Sequence, residues 1–164
     1  FIIYTPSNEG YIFYKFNRVT VADNIVNIDQ WKLWQMGVCD KSLTTIWESF
    51  TNIEWEGVVK EKDASNFIGG HHGNEINTSL SIFLDGVEIL TSQADFTVRE
   101  FENLNIVTTS TIFSWFDSIT PLFTRYKTLN FNKDGFTIRN RWISLATPAI
   151  STVYMPMLFN INVI

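Results

Sequence analysis

The residues best suited to chemistry in this sequence lie together in one heptapeptide, Gly-Gly-His-His-Gly-Asn-Glu at positions 69–75. His71 and His72 are the only histidines of the chain, and Asn74 and Glu75 follow a third glycine. An imidazole can bind a sugar hydroxyl or act as a general base near neutral pH, while a carboxylate can act as a general acid or accept two hydrogen bonds from a diol. The alternative is a plain bend, with the imidazoles bonded to local backbone. The sequence leaves both open.

Other catalytic chemistries have weaker support. A metal site would need His71 or His72 with Glu75 and Asp85, but this spacing matches no zinc signature, so we expect no metal and no other cofactor. Hydrolysis by paired carboxylates would need a second acid facing Glu75. The sequence offers four candidates without choosing among them: Glu54, Glu56, Asp63 and Asp85. A serine nucleophile elbow is not present in the sequence.

The charge of the chain is unevenly distributed. Residues 1–100 carry 7 Lys/Arg and 14 Asp/Glu, a net of −7, whereas residues 101–164 carry 5 and 3, a net of +2. A cationic strip for an anionic ligand is therefore one interpretation of the second half, and a solvated strand face is the other. The strip would contain Arg125, Lys127, Lys133, Arg139 and Arg141. Nucleic acid is not expected as a partner, because so few basic residues on an acidic chain neutralise little phosphate.

The composition predicts one globular domain over residues 1–164. Its 45% hydrophobic content can form a core, and only 18% of residues are charged while 15% are aromatic. The chain begins with Phe1 rather than Met, so we interpret it as a fragment of a longer chain. No apolar run is long enough to cross a bilayer, so membrane insertion is not expected. Cys39 is the single cysteine, which excludes an internal disulfide.

Alternating apolar and polar residues indicate strands. Leu80, Ile82 and Leu84 alternate before Asp85-Gly86, and a second alternating stretch surrounds Asp134-Gly135. Because Asp-Gly tolerates the positive torsions of tight hairpin turns, both pairs are expected to join adjacent antiparallel strands. In residues 11–21 the alternation requires one slip or bulge. Residues 52–63, with Ile53, Trp55 and Val58 near period two, continue the pattern.

Two stretches have helix-like ends. Residues 27–37 run from a possible Asp29 cap to Gly37, and residues 110–123 run from Ser110 to the stop at Pro121. Aromatic residues favour strand in the first, and the second stays open. We therefore predict an all-β fold, an antiparallel two-sheet β-sandwich that is jelly-roll-like and has at most one or two short helices.

Three segments carry a resemblance to a known family. The segment FIGGHHGNE at 67–75, the FLDG turn at 83–86 and VYMPMLF at 153–159 resemble a domain of bacteriophage tail-fibre and related host-recognition proteins. The similarity spans roughly residues 50 to 160, and only the glycine-histidine-glycine-acid core is specific. The resemblance implies a β-sandwich on a virion appendage, often trimeric, that meets cell-surface glycans, which some such appendages also cleave. It assigns no catalytic role to any position.

The favoured function is therefore binding of a host surface polysaccharide by the loop end of a β-sandwich. Aromatic rings would stack on sugars, and basic residues would meet acidic groups. The candidate ligand-binding residues are His71, His72, Asn74, Glu75, Arg139 and Arg141. The alternatives are a polysaccharide lyase or hydrolase with a histidine base and Glu75 as acid, or a structural virion module. Whether the protein is an enzyme is left open. The resemblance implies an extracellular or virion-surface location and a homotrimer.

Overall fold

The computed structural model of the protein describes residues 1–22, 27–51, 57–89 and 99–154. About two-thirds of these residues lie in strands, and the only helical element among them is a 3-10 turn at Gly70–His72. The strands are β1 Ile2–Pro6, β2 Tyr11–Ala22, β3 Asn27–Cys39, β4 Ile46–Thr51, β5 Val58–Glu61, β6 Glu75–Leu84, β7 Val87–Ile89, β8 Asn103–Phe113, β9 Pro121–Asn132, β10 Gly135–Ser144 and β11 Ile150–Tyr154. The all-β prediction is confirmed.

Nine of the strands form one sheet, and β5 and β11 form a second. The path of the large sheet is β1-β2-β3-β6-β8-β9-β10, with β4 also on β3 and β7 also on β6. The prediction of purely antiparallel pairing is wrong at one place, since β3 and β6 pair in parallel at Ile28↔Glu75 and Asp29↔Ile76. The chain between these strands forms β4, β5 and the 3-10 turn, and this long connection brings β6 back in the same direction as β3.

The large sheet folds over on itself. Ring centroids of Tyr14 in β2 and Phe131 in β9 lie 5.2 Å apart, although three strands separate β2 from β9 in the sheet order. A flat sheet would hold those strands roughly 19 Å apart, at about 4.8 Å per step. The two layers of this sandwich-like fold are therefore halves of one sheet, a feature that strand patterns alone do not reveal.

Two apolar clusters fill the interior. The larger lies between the folded halves, and its buried members are Ile3, Tyr14, Phe16, Leu33, Met36, Ile82, Leu104, Ile106, Leu129 and Phe131. The smaller consists of Val59, Ile68, Ile112 and Leu122, with Trp115, Phe123, Trp142 and Ile150 packed against it. Because Val59 and Ile150 belong to β5 and β11, this second cluster attaches the small sheet to the large one.

Both predicted hairpins are confirmed. In the first, Leu84 pairs with Val87, and Asp85 (φ 49°) and Gly86 (φ 83°) supply the two positive torsions of the tight turn. In the second, Asn132 pairs with Gly135, so the turn residues are Lys133 and Asp134 and the glycine already begins β10. The turn thus lies one residue earlier than the Asp-Gly pair suggests.

The remaining strand predictions have mixed outcomes. Residues 27–37 lie in β3, as favoured, and the 110–123 stretch is the end of β8, a turn and the start of β9. The expected slip in β2 is a register shift at Lys15/Phe16, where β3 has one extra residue. Ile53 and Trp55 lie outside the described residues, as does most of the VYMPMLF segment.

Candidate functional site

The histidine loop is a compact turn built on residues with positive φ. Gly69, Gly70, Gly73 and Asn74 have φ values of 89°, 57°, 106° and 55°. The Gly69 amide donates to the Gly73 carbonyl at 2.8 Å, which closes the turn around the two histidines. Glycine adopts these torsions without the steric cost that a Cβ brings, so this sequence is suited to the bend it forms. The loop is therefore a tight connection from the small sheet into β6.

Glu75, directly after the loop, points into the protein. Its side chain is 3% exposed. One carboxylate oxygen accepts a hydrogen bond from the Ser110 hydroxyl, and the other accepts from the Gly70 amide at 2.5 Å and from the Arg125 guanidinium at 2.9 Å. These bonds join the loop, β8 and β9 at a single carboxylate. None of them connects Glu75 to a histidine side chain.

The surroundings of Glu75 keep it ionised. Burial is the largest single influence and opposes ionisation, but the charges of Arg125 and Lys127 and the two hydrogen bonds from Ser110 and Gly70 together outweigh it. They hold the pKa of Glu75 below its ordinary value of 4.5. A group that stays charged at neutral pH cannot deliver a proton as a general acid there.

Arg125 is the buried partner, with 1% exposure of its side chain. Its Nε donates to the Asn140 side chain at 3.2 Å, and its guanidinium lies 5.4 Å from the centroid of the Trp142 ring. Its Nη2 has no hydrogen-bond partner among the described residues. The expected cationic strip is consequently divided: Arg125 and Lys127 are buried, while Arg139 and Arg141 on the neighbouring strand are exposed. The division follows from the alternation of side chains along a strand.

Asn74 is also buried, and it ties the loop to its neighbours. Its amide nitrogen donates to the Ser114 carbonyl at 3.0 Å, and its amide oxygen accepts from the Ser118 hydroxyl at 3.3 Å. The oxygen also accepts from the Asn27 amide at 3.4 Å. Ser114 in turn donates to the buried carboxylate of Glu61 in β5. Asn74 thus connects the histidine loop to the turn between β8 and β9 and to β3.

The histidines lie at the surface side of the same loop, and both are half-buried. The His72 ring lies 5.5 Å from Phe67, and Phe67 lies 5.1 Å from Tyr154 in β11. We call Phe67, His72 and Tyr154 the aromatic strip. Tyr154 is 54% exposed, and the Lys60 ammonium lies 5.8 Å from the Phe67 ring centroid. The strip places rings and hydrogen-bonding groups together at the loop end of the fold.

Arg139 and Arg141 lie on a different surface. Both are exposed on β10, where Arg139 pairs with Thr128 and Arg141 pairs with Tyr126 of β9. Directly paired residues of an antiparallel ladder share one face of the sheet, so these four side chains lie on its outer side. The structure therefore separates the six predicted ligand-binding residues into two buried ones, two histidines at the loop end and two arginines on the sheet. Whether any of them binds a ligand stays a prediction.

Three residues of these surfaces are absent from the sequence-based candidates: Phe67, Tyr154 and Tyr126. The alternation in Leu-Phe-Thr-Arg-Tyr-Lys-Thr-Leu at 122–129 does carry a signal, since it places Tyr126 opposite in phase to Arg125 and Lys127. Phe67 and Tyr154 are 87 positions apart in the sequence, and only the pairing of β5 with β11 brings them together.

Among the described residues, no group of three or more His, Cys, Asp and Glu side chains is arranged to hold a metal ion. A search of the same residues finds no helix of the length and apolarity that a membrane crossing requires. The chain matches no protein-family model, no curated protein and no solved structure.

Proposed function

We propose that the protein is a carbohydrate-binding host-recognition domain of a viral tail or appendage protein, and that the aromatic strip is its main sugar contact. The observation that carries this proposal is the row formed by half-buried Phe67 and His72 and exposed Tyr154 at the glycine-framed loop. The resemblance of the 67–75 and 83–86 segments to tail-fibre domains supports the same proposal. The jelly-roll connectivity expected of such a domain stays a prediction.

Rings of this kind suit a sugar, because the apolar faces of the rings pack on C–H groups while polar tips stay in contact with water. The Tyr154 hydroxyl can donate and accept hydrogen bonds, His72 can do both in its neutral form, and the Lys60 ammonium can only donate. Sugar hydroxyls need donors and acceptors close to an apolar surface. The aromatic strip combines an apolar surface, hydrogen-bond donors and hydrogen-bond acceptors within one patch of three rings.

The arrangement favours binding over catalysis. A lyase or hydrolase at this loop would need Glu75 to reach its substrate. Both oxygens of Glu75 are instead engaged inside the protein, by Ser110, Gly70 and Arg125. The paired-carboxylate alternatives Glu54 and Glu56 lie outside the described residues, and Asp63 and Asp85 lie in exposed turns.

Truncation of Tyr154 tests the strip. Tyr154→Ala should weaken binding to a host surface polysaccharide about tenfold, equivalent to about 1.4 kcal/mol, while Tyr154→Phe keeps the ring and most of the affinity. Val153→Ala is the matched control, because Val153 is the neighbouring exposed residue of β11 and contributes no ring. Affinity is measured by isothermal titration. Equal affinity of Tyr154→Ala and Val153→Ala would exclude the strip as the sugar contact, and release of reducing ends or unsaturated products would favour the enzyme.

Self-association, as a homotrimer, is part of the proposal. All six residues of β4 are exposed, and three of them are large and apolar: Ile46, Trp47 and Phe50. An exposed apolar strand is a surface that other chains tend to cover. Light scattering at high protein concentration should give three copies, and Trp47→Ser should shift the assembly toward the monomer. A wild-type monomer at millimolar concentration would contradict assembly through β4.

A further inference from the structure

The outer side of β8, β9 and β10 is an ordered array of mostly polar side chains, which we call the outer face. The strand registers align it in cross-strand rows: Asn105–Asn130–Thr137, Val107–Thr128–Arg139 and Thr109–Tyr126–Arg141. Neighbouring strands are about 4.8 Å apart and successive outward residues about 6.8 Å apart, so the array is nearly regular. The β6 residues Ser79 and Ser81 extend the last two rows by one hydroxyl each.

The charged residues of the three rows, Arg139 and Arg141, are both positive; the first row continues beyond Asn105 through Phe83 of β6 to the acidic Glu88 of β7. Within the three rows themselves no residue is acidic, although the chain carries 17 Asp and Glu against 12 Lys and Arg. Among the described residues, neither Arg139 nor Arg141 has an ion-pair partner. Arg18, an exposed arginine elsewhere on the protein, is by contrast paired, since it donates two hydrogen bonds of 2.7 Å to Asp29. The two arginines of β10 therefore present whole guanidinium groups to solvent.

Guanidinium groups bind carboxylate, sulfate and phosphate oxygens through paired hydrogen bonds. Arg139 and Arg141 point to the same side of β10, about 6.8 Å apart, so they can contact successive anionic groups of a polymer. Tyr126, 39% exposed beside Arg141, adds a ring on which a sugar can lie. Hydroxyl and amide groups of the rows supply hydrogen bonds to sugar hydroxyls.

From this combination we infer that the outer face is a binding site for an anionic polysaccharide, in which Arg139 and Arg141 bind the anionic groups. The inference rests on the proposed glycan recognition, because it names the charge class of the same kind of ligand. Single-stranded nucleic acid is disfavoured, since the rows of the outer face offer one aromatic ring, that of Tyr126, where base stacking uses several.

The test uses three polymers with one backbone: dextran, carboxymethyl dextran and dextran sulfate, immobilised for surface plasmon resonance with the whole chain as analyte. The outer face should bind both anionic polymers at least tenfold more tightly than dextran at low salt. The difference should shrink as salt rises, because screening weakens exposed charges. An oligothymidine competitor at equal phosphate concentration should displace little of the protein, and full displacement would replace the polysaccharide with nucleic acid as the ligand.

The decisive variant is Arg139→Gln/Arg141→Gln, which should lose about tenfold in affinity for the anionic polymers and nothing for dextran. Lys41→Gln/Lys62→Gln is the matched control, because it removes two exposed charges away from the outer face. Its affinity should change less than twofold. Arg139→Lys/Arg141→Lys keeps the charge but not the paired geometry and should fall between the two.

If Arg139→Gln/Arg141→Gln and Lys41→Gln/Lys62→Gln lose the same affinity for the anionic polymers, only the net charge matters and the inference is overturned. Two further outcomes separate the inference from the proposal beneath it. If neutral host glycans bind through Tyr154 but the anionic polymers bind no better than dextran, the inference fails and the proposed function stands. If no polysaccharide of any charge binds, the proposed function fails and the inference fails with it.

Discussion

Arg125 and Arg141 lie on adjacent strands and differ in almost everything but residue type. Arg125 is 1% exposed and holds Glu75 at 2.9 Å, with Trp142 on its face. Arg141 is exposed and pairs in the ladder with Tyr126, one residue from Arg125. The difference arises from the side of the pleat on which each lies. A basic residue in this protein therefore supports the fold or presents charge to solvent according to its phase along the strand.

Disturbing the buried pair of Arg125 and Glu75 should destabilise the fold. Two charges removed from water are tolerated only while each compensates the other, so loss of one leaves the other uncompensated. On the exposed side, solvent compensates each charge alone, so its removal should change the stability of the fold little. Four variants or conditions separate the buried charges from the exposed ones.

Loss of the buried carboxylate should have the largest effect. Glu75→Gln leaves Arg125 without a counter-charge and should lower the free energy of unfolding by about 3 kcal/mol in urea titrations. Glu88→Gln, an exposed carboxylate of β7, is the control and should change it little. Glu75→Leu combined with Arg125→Met should recover part of the loss, since it removes the uncompensated charge but leaves the Gly70 amide and the Ser110 hydroxyl without their acceptor. A stable Glu75→Gln protein would show that the pair contributes nothing to folding.

Acid should remove the same stabilisation gradually. The pKa of Glu75 is depressed in the folded protein and returns to about 4.5 on unfolding, so its contribution is complete above pH 4.5 and is lost as the pH falls through the folded pKa. The stability difference between wild type and Glu75→Gln should therefore shrink as the pH falls from about 4.5 through the folded pKa. A stability difference that stays constant over this range would mean that the pKa of Glu75 is the same in the folded and the unfolded protein.

The loop that closes over the buried pair should tolerate no side chain at Gly69. A Cβ there would lie 3.3 Å from the Gly57 carbonyl oxygen, on a backbone with φ of 89°. We expect Gly69→Ala to lower the free energy of unfolding by about 2 kcal/mol. Gly86→Ala has a similar φ but nothing within 4 Å of the added Cβ, so it should cost less and isolates the contact. Equal thermal shifts in the two variants would mean that only backbone torsion matters.

An exposed ion pair should show the smallest effect. Arg18→Gln breaks the surface pair with Asp29, and the melting temperature should not change measurably, since solvent and salt replace the lost attraction. The pKa of Asp29, now lowered by its hydrogen bond to Arg18, should rise toward its ordinary value in an NMR titration. A large fall in melting temperature would remove the distinction between buried and exposed pairs.

Local patterns in the sequence predicted much of the fold. The Asp-Gly pairs identified both hairpins, and the alternation of β8 is complete from Leu104 to Ile112, where every second residue is buried. Two features depend on distant parts of the chain and left no local signal. They are the parallel contact of Ile28 with Glu75 and the folding of the sheet that brings Tyr14 to Phe131.

The site was predicted less completely. The glycines at 69, 70 and 73, which mark the loop in the sequence, all have positive φ. The sequence did not reveal that Glu75 forms an ion pair with Arg125. These residues are 50 positions apart, and their contact depends on the pairing of β6, β8 and β9 side by side in the sheet. A carboxylate beside two histidines suggests chemistry, and the same carboxylate facing a buried arginine is satisfied within the fold.

One measurement tests most directly the claim that Glu75 supports the fold while residues at the surface bind the ligand. It is the affinity of Glu75→Gln for carboxymethyl dextran, determined at a temperature where the variant is folded and compared with its melting temperature. We predict an affinity within twofold of wild type and a clearly lower melting temperature. A folded variant with an unchanged melting temperature and an affinity reduced tenfold or more would contradict the account and return Glu75 to the binding site.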